Sequence, residues 1–373
     1  MRVTRLRVVG FRNLRAQQLE LGPGITLLSG PNGAGKTNLL EALFTGLAGR
    51  SCRTRSDREV IAFGEEMARV EVDLGDGADA STFLWSRARG GERRHLLDGG
   101  EMSASLMHRR PPLALFLPDR LALVKGPPTE RRSHLDRLTA ALWPGRADAR
   151  RRYGRALAQR NALLGRVRGG MAPADSLDAW DLELASAGAA LMDARRDAVA
   201  ALGPQFAVAA RELGLPGEAE LRYAPRSSAR AAEDLARELS ERRQGDVERG
   251  YSGYGPHLDE LELSLDRRSL RRYGSQGEQR AALLALLFAE RHALIDARRT
   301  PPLMLLDDVM SELDPDRREL LADRLAEGEG QTLITATEGG QLPARPALVQ
   351  IGVRDGTAQP ARRDPAHRPA LAA

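Results

Sequence analysis

The segment Gly30-Pro31-Asn32-Gly33-Ala34-Gly35-Lys36-Thr37 places three glycines ahead of a lysine and a threonine, a spacing suited to wrapping a chain of phosphates. Glycines let the backbone approach an anion closely with several N–H groups turned inward. A helix that begins at the lysine adds partial positive charge from its free N–H groups. In that arrangement Lys36 reaches the β- and γ-phosphates of ATP, and the Thr37 hydroxyl is a ligand for Mg²⁺. The plain alternative is a chance glycine-rich turn before a helix; the full match, with an apolar strand before it, argues against that. Far downstream, Leu303-Met304-Leu305-Leu306-Asp307-Asp308 is an apolar run ending in two acids. A buried strand of this kind delivers carboxylates at its carboxyl end, where open α/β sheets bind ligands. Asp307 would hold the Mg²⁺ shell and Asp308 would position or deprotonate an attacking water. Alone, this segment reads as a strand followed by an acidic helix cap; paired with the glycine-rich loop, it reads as the second half of a nucleotide site.

A third segment, Ser275-Gln276-Gly277-Glu278-Gln279-Arg280, stands just before a helical stretch. A serine at a helix start, with the free N–H groups of Gln276 and Gly277 behind it, can attract an anion. Ser275 and Glu278 also form a capping-box pattern. The two roles are compatible.

The elements that would position these residues follow from periodicity. Val3 to Val9 and Ile25 to Ser29 read as strands, and a helix runs from Lys36 to about Leu47. Met67 to Leu74 and Ser81 to Ser86 read as antiparallel strands with a turn at Gly75 to Ala78. From about Pro127 to Arg243 the chain is rich in Ala, Leu, Arg and Glu at helical spacing, with an antiparallel helix pair expected around Arg150–Arg168 and Ala174–Leu213. After Gly255 strand signals return at Leu261, Leu263 and Leu265. Next come a helix over Glu278 to Asp296, a strand over Pro302 to Leu306, a helix over Pro315 to Ala326 and a strand over Thr332 to Thr335. The stretch Arg354 to Ala373 reads as a disordered tail.

With 373 residues and 42% apolar composition, the chain is large enough for more than one domain and for a sizeable core. No apolar run approaches the roughly 18 residues of a membrane helix, the N-terminus has no signal-peptide core, and the single Cys52 excludes a disulfide framework or a cysteine metal cluster. These features point to the cytoplasm. The net charge is +5, yet only Lys36 and Lys125 among 56 basic residues are lysines. The arginine bias is mainly what GC-rich coding produces, which makes a retained Lys36 more informative.

Taken together, these motifs resemble an ABC-type ATPase, and Ser275-Gln276-Gly277-Glu278-Gln279-Arg280 resembles the ABC signature in its SMC-like form. Ser311-Glu312-Leu313-Asp314 resembles the D-loop of such dimers. Further segments narrow the resemblance to the RecF family of bacterial recombination mediators, up to about Gly352. They are Gly10-Phe11-Arg12-Asn13, Ser51-Cys52-Arg53-Thr54, Phe116-Leu117-Pro118-Asp119, Val124-Lys125-Gly126-Pro127-Pro128, Arg131-Arg132-Ser133-His134-Leu135-Asp136, Gln159-Arg160-Asn161-Ala162-Leu163-Leu164 and Gly255-Pro256-His257. The resemblance implies an α/β fold: an ABC-type P-loop ATPase head (1–118 and 250–353) with an inserted all-helical lobe (119–249) and the tail 354–373. It implies ATP and Mg²⁺ as cofactors, and ATP sandwiched in a homodimer in which Ser275 meets the γ-phosphate held by the other subunit. It further implies weak DNA-dependent ATPase activity and binding to double-stranded DNA near single-strand gaps. Work with RecO and RecR in gap repair, replication and the SOS response would follow, with no membrane partner. Asp119, or a neighbour in that loop, is implied to stand for the Q-loop that senses Mg²⁺ and the γ-phosphate.

Two departures bear on this. Leu258 follows Gly255-Pro256-His257 where an arginine is expected, and Thr332 to Glu338 contains no switch histidine. Thr335 or Thr337 could hydrogen-bond a phosphate or water but would be a poor proton acceptor, so slow hydrolysis is expected. For DNA the candidates are Arg53-Arg55, Arg109-Arg110, Arg131-Arg132 and Arg150-Arg151-Arg152; with only 4% aromatics, backbone contact to a duplex is favoured over base stacking. Each cluster could equally be a solvated helix face. The rival readings are an ABC transporter ATPase subunit, a bridging SMC-like protein and a P-loop kinase or GTPase. The first lacks a consensus LSGGQ and the switch histidine here; the second needs a long coiled coil; the third does not use the signature serine.

Overall fold

The computed structural model describes residues 2–54, 56–75, 80–103, 106, 109–117, 121–328, 330–337 and 348–360. The chain forms two compact units, Met1–Pro118 with Pro301–Ala373, and Asp119–Thr300.

The first unit is built from two six-stranded sheets and the helices Lys36–Ala48 and Pro315–Glu327. One sheet runs, from edge to edge, Thr357–Pro360, Leu348–Arg354, Ile25–Ser29, Thr332–Ala336, Leu303–Leu306 and Leu113–Phe116. Its four inner pairings are parallel and only the terminal hairpin is antiparallel. Parallel strands covered on both faces need apolar side chains on both sides, and Leu303–Leu306 and Thr332–Ala336 are buried at every position. The other sheet is antiparallel, ordered Gln17–Glu20, Val3–Val9, Met67–Leu74, Ser81–Ala88, Arg93–Leu97 and Gly100–Glu101. Here burial alternates, as in Met67–Leu74, where Ala68, Val70, Val72 and Leu74 point inward. The helix Lys36–Ala48 contacts both sheets and buries Leu39, Leu40, Leu43 and Leu47. Gly46 is needed for that approach, because a Cβ there would lie 2.6 Å from Val72 Cγ2 and 2.9 Å from Val70 Cγ1. Burying each Leu or Phe of this core is worth about 1.5–3 kcal/mol. Gln331, itself buried, joins chain ends far apart in sequence: its Oε1 accepts from Val3 N at 2.8 Å while its Nε2 donates to Val3 O at 2.8 Å and Gly22 O at 2.6 Å.

The second unit holds the helices Pro128–Leu142, Ala149–Arg168, Asp178–Glu212, Ala232–Glu241, Arg243–Arg249 and Gln276–Arg298. The expected helix pair is present as Ala149–Arg168 against Asp178–Glu212. Two expectations change. The inserted unit is not all-helical, because Ala219–Ala224, Glu260–Leu265 and Arg268–Ser269 form a three-stranded antiparallel sheet. It also does not close near residue 250: 250–300, including Ser275 and its helix, cluster with it. Apolar alternation at Leu261, Leu263 and Leu265 signalled a strand but could not say which sheet would receive it. The tail reading begins too early as well. Asp355 and Gly356 turn the chain, and Thr357–Pro360 pairs with Leu348–Arg354; residues 361–373 lie outside the described residues.

Arginine chemistry organises the second unit. Arg160 is fully buried and donates to Asp181 Oδ1 at 2.6 Å, Asp246 Oδ2 at 2.7 Å and Ser252 Oγ at 2.7 Å. Its neighbour Asn161 accepts from Ser252 N and Oγ. Arg131, 4% exposed, forms a bidentate pair with Glu260 at 2.6 and 2.7 Å, and Arg195 does the same with Asp136 at 2.7 and 3.1 Å. His257 accepts from the Tyr153 hydroxyl at Nδ1, 2.7 Å away, and donates from Nε2 to Ser252 O, 3.0 Å away, with burial pushing its pKa down toward the neutral form. Removing one partner of a buried ion pair leaves the other charge uncompensated, a loss of about 3–5 kcal/mol. Arg160→Ala, which leaves Asp181 only Arg243 and Asp246 only Arg249 as ion-pair partners, is therefore expected to cost about 3 kcal/mol in urea unfolding. Arg151→Ala, whose exposed partner is Asp148, is expected to change stability by less than about 1 kcal/mol. Equal losses for the two would refute this assignment.

Candidate nucleotide-binding site

The glycine-rich loop leaves the carboxyl end of Ile25–Ser29 and enters the helix at Lys36, so its backbone must fold back sharply. Gly35 sits at φ +109, which a side chain would strain, and a Cβ on Gly30 would lie 2.1 Å from Val353 O. Lys36 is 7% exposed and donates to Gly30 O at 2.8 Å and Pro31 O at 2.9 Å, drawing the loop around its ammonium. Burial lowers the Lys36 pKa, while Asp308 and Asp307 oppose that shift and favour the charged form.

Asp307 lies at the end of Leu303–Leu306, where its N–H donates to Phe116 O of the adjacent parallel strand at 2.9 Å. Its carboxylate accepts from Thr37 Oγ1 at 2.8 and 3.1 Å and from Thr335 Oγ1 at 2.7 Å. Burial pushes the Asp307 pKa up, and the two hydroxyls pull it back. The Thr335 hydroxyl, fully buried, also accepts from Asp308 N at 2.9 Å. One threonine thus fixes the side chain of one acid and the backbone of the next. Asp308 adopts a left-handed backbone at φ 48, and Ser311 Oγ donates to its carbonyl at 2.8 Å and to its Oδ2 at 2.9 Å. Its other carboxylate oxygen, Oδ1, is buried with no hydrogen-bond partner among the described residues.

Asn32, Gly33, Gly35, Lys36, Thr37, Asn38, Arg53, Asp307, Asp308, Thr335 and Thr337 line a cavity of about 300 Å³. The structure therefore brings together most of the site residues expected in this unit. It also adds residues that the motifs did not name for this site. Asn13 Nδ2 donates to Gly33 O at 2.9 Å, and Asn38 Nδ2 donates to Asn13 Oδ1 at 2.7 Å. Arg53, expected among DNA contacts, instead lines this cavity and donates to Asn38 Oδ1 and Glu41 Oε2 at 2.9 and 3.2 Å. Glu41, fully buried, also accepts from Arg12 and Ser51. A glutamate inside the apolar run Leu39-Leu40-Glu41-Ala42-Leu43 was the available signal, since buried carboxylates require partners.

The donor set fits a nucleotide with Mg²⁺. Thr37 and Asp307 present hard oxygen ligands side by side, and Mg²⁺ characteristically takes few protein oxygens and completes its shell with phosphate and water. Asp308 lines the same cavity, and its buried Oδ1 has no hydrogen-bond partner among the described residues. Among the described residues no cluster of three or more His, Cys, Asp or Glu forms another metal site.

Ser275, Gln276 and Gly277 belong to the other unit. There the capping box is complete, with Glu278 N donating to Ser275 Oγ at 3.2 Å and Ser275 N to Glu278 Oε2 at 2.7 Å. Asp119 and Arg55 lie outside the described residues. Of the remaining DNA candidates, Arg131 is committed to Glu260, Arg132 donates to Asp259 O at 2.8 Å, and Arg109 reaches Ser81 and Asp98. Arg150 and Arg151 are exposed beside Asp136 and Asp148. Leu258, 45% exposed, sits on a short 3-10 turn.

The model of the RecF/RecN/SMC N-terminal domain family matches residues 2–359. The DNA replication and repair protein RecF of Heliobacterium modesticaldum is 37% identical over 349 residues, which is 90% of this chain and 92% of that one. Its counterpart from Anaeromyxobacter dehalogenans strain 2CP-1 is 38% identical over 375 residues, covering 96% and 99%. A solved structure of the recombination mediator protein RecF with ATPrS, in the RecFOR pathway, matches with a TM-score of 0.87 at 26% identity, over 96% of this chain and 98% of that one. An SMC head bound to the C-terminal winged-helix domain of ScpA shares the fold, with a TM-score of 0.56 at 17% identity and 96% coverage of both chains. No helix among the described residues is long and apolar enough to cross a membrane.

A hydrogen bond to a buried carboxylate is worth about 1.5–3 kcal/mol. Thr335→Val, which removes the hydroxyl between Asp307 and Asp308 N, is expected to cost about 2 kcal/mol in chemical unfolding, and Thr335→Ser to retain most of it. Indistinguishable Val and Ser variants would show that the hydroxyl does not hold the two acids.

Proposed function

This chain belongs to the RecF family of DNA replication and repair proteins, and from that membership we propose that it is an ATP-controlled clamp on double-stranded DNA. The observation that carries the ATP part is the convergence of Thr37, Asp307 and Thr335 beside Lys36 in one cavity. In this reading the amides of Gly30 to Thr37 cradle the phosphates, and Lys36 contacts the β- and γ-oxygens. Thr37 and Asp307 would hold Mg²⁺, which would supply charge neutralisation to the phosphates. Asp308, which lines the cavity, orients or deprotonates the attacking water. The Thr335 hydroxyl is occupied by Asp307 and Asp308, and it is a poor base, so hydrolysis is slow and ATP acts as a timer.

Ser275, with the free N–H groups of Gln276 and Gly277, completes the site of a second copy by meeting its γ-phosphate, which makes dimerisation ATP-dependent. Ser311 to Asp314 runs between the two sites as the D-loop. The clamp engages duplex DNA near single-strand gaps and works with RecR and RecO to assist recombinase loading in gap repair and the SOS response. The match of the RecFOR-pathway structure supports that partnership. A transporter ATPase is disfavoured by family membership over residues 2–359.

Molar mass by light scattering tests the clamp. The expected result is a monomer with ADP and a dimer with Mg²⁺-ATP, strengthened by a short duplex and abolished by Ser275→Arg. Far-UV circular dichroism confirms that the Ser275→Arg helix is intact. A chain that stays monomeric with ATP and DNA would remove the clamp while leaving the nucleotide site. At that site Lys36→Ala is expected to weaken ATP binding at least about tenfold in equilibrium titration; unchanged affinity would remove the nucleotide reading itself.

A further inference from the structure

A second cavity, of about 550 Å³, lies wholly within the unit Asp119–Thr300 and has no part in the nucleotide chemistry. One wall is the helix Asp178–Glu212, through Arg196, Val199, Ala200, Gly203 and Pro204; the others are Leu221–Tyr223 of a strand and the loop from Pro225 to Arg230. Three arginines line it and no carboxylate does. Arg222 has an exposed partner, Glu262, and Arg196 is tied to Asp193, but Arg230 is exposed with no ion-pair partner among the described residues. The floor is apolar, from Val199, Leu221, Pro225 and the ring of Tyr223.

Two features of the helix shape this cleft. Gly203 leaves it open, since a Cβ there would have nothing within 4 Å. Pro204, inside the helix, has no N–H to give the carbonyl of Ala200, a residue that lines the cavity, so that carbonyl lacks its usual helical donor. One turn beyond Pro204, Val208 is 44% exposed and extends the apolar surface along the helix. The loop wall is held in place. Arg196 Nη2 donates to Ala229 O at 2.8 Å, Arg226 N to Asp259 Oδ1 at 2.8 Å, and Ser227 and Ser228 both donate to Glu238. Such a cleft is largely formed before anything enters it.

We propose that this cleft docks an acidic segment of a partner protein, with one apolar side chain seated on the Val199–Leu221–Pro225 floor, its carboxylates on Arg196, Arg222 and Arg230, and a backbone N–H on the carbonyl of Ala200. Charge selects an anionic partner. The apolar floor and the Ala200 carbonyl favour a peptide over nucleic acid, because a phosphate backbone offers neither an apolar anchor nor a donor. The proposal stands independently of nucleotide binding.

The test uses the full chain and a fluorescein-labelled peptide in which Phe-Leu is flanked on both sides by Asp and Glu, read by fluorescence anisotropy. Gly203→Leu, a change favourable to the helix that fills the cleft, and Arg230→Glu are each expected to weaken binding by about tenfold or more. A peptide with Phe-Leu replaced by Ser-Ser is expected to lose a similar factor. Lys36→Ala is expected to leave peptide affinity unchanged, so a failed nucleotide reading would not be confused with a failed cleft. The proposal is overturned if the acidic peptide does not bind at about 1 mM or binds both cleft variants like the parent. It is also overturned if a duplex DNA binds the cleft instead, losing affinity with Arg230→Glu while Gly203→Leu leaves peptide binding intact.

Discussion

A carboxylate buried at the end of a parallel strand must find donors, and Asp307 finds them in two hydroxyls from different segments of the chain. Thr37 comes from the helix that follows Ile25–Ser29, and Thr335 from the neighbouring strand Thr332–Ala336. In sheet order Thr332–Ala336 lies between Ile25–Ser29 and Leu303–Leu306, so the two motif-bearing strands are not themselves paired. The intervening strand contributes the threonine that spans the gap and fixes the next peptide, at Asp308 N. Parallel pairing places all three carboxyl ends on the same edge, where the glycine-rich loop and both acids meet. A hydrophobic side chain at Thr335 would leave Asp308 N without its acceptor and Asp307 with Thr37 as its remaining hydroxyl donor.

The second unit depends on a different solution to the same problem. Its arginines enter the interior with carboxylates already matched, bidentate where the planar fork permits, as in Arg131 with Glu260 and Arg195 with Asp136. Segments that mark the family, Arg131-Arg132 to Asp136 and Gln159-Arg160-Asn161, are here spent on internal structure. Arg131 also closes on the carbonyls of Leu123, Val124 and Gly126, and Arg160 ties Asp181 to Asp246. Their guanidinium groups are therefore poorly placed for phosphate, and DNA affinity in the proposed clamp has to come from exposed cations.

What was legible in the sequence was local. Glycine spacing, a lysine and a threonine before a helix, and an apolar run ending in two acids each specify their own conformation within a few residues. The long-range matches were not legible. Nothing in the segment from Thr332 says that Thr335 rather than Thr337 will bridge the acids, because that depends on the register Ile334 to Leu306. The apolar alternation at Leu261 to Leu265 signalled a strand, but its pairing with Ala219–Ala224 required a partner hidden in a helical background. Likewise Thr357–Pro360, read as tail because of its polar and proline-rich setting, is ordered by its neighbour Leu348–Arg354. Arg53 was assigned by charge, whereas its position was decided by the buried Glu41.

The capping box at Ser275 bears on the proposed dimer in a way that a helix cap alone would conceal. Ser275 Oγ accepts from Glu278 N, which occupies a lone pair but leaves the hydroxyl proton free to donate to a phosphate oxygen. Capping and the proposed phosphate contact are therefore compatible. The opposing element is Glu278, whose carboxylate is held at 2.7 Å from Ser275 N and places a negative charge beside the anion's expected position. The N-terminal helix charge, equivalent to about half an elementary charge, cannot by itself outweigh that carboxylate. An isolated γ-phosphate would be held weakly there. Affinity would have to come from the phosphate already fixed by Lys36 and Mg²⁺ on another copy, so that neither half-site closes alone. A contact that would be weak on its own but decisive in a pair would suit the proposed ATP-governed switch.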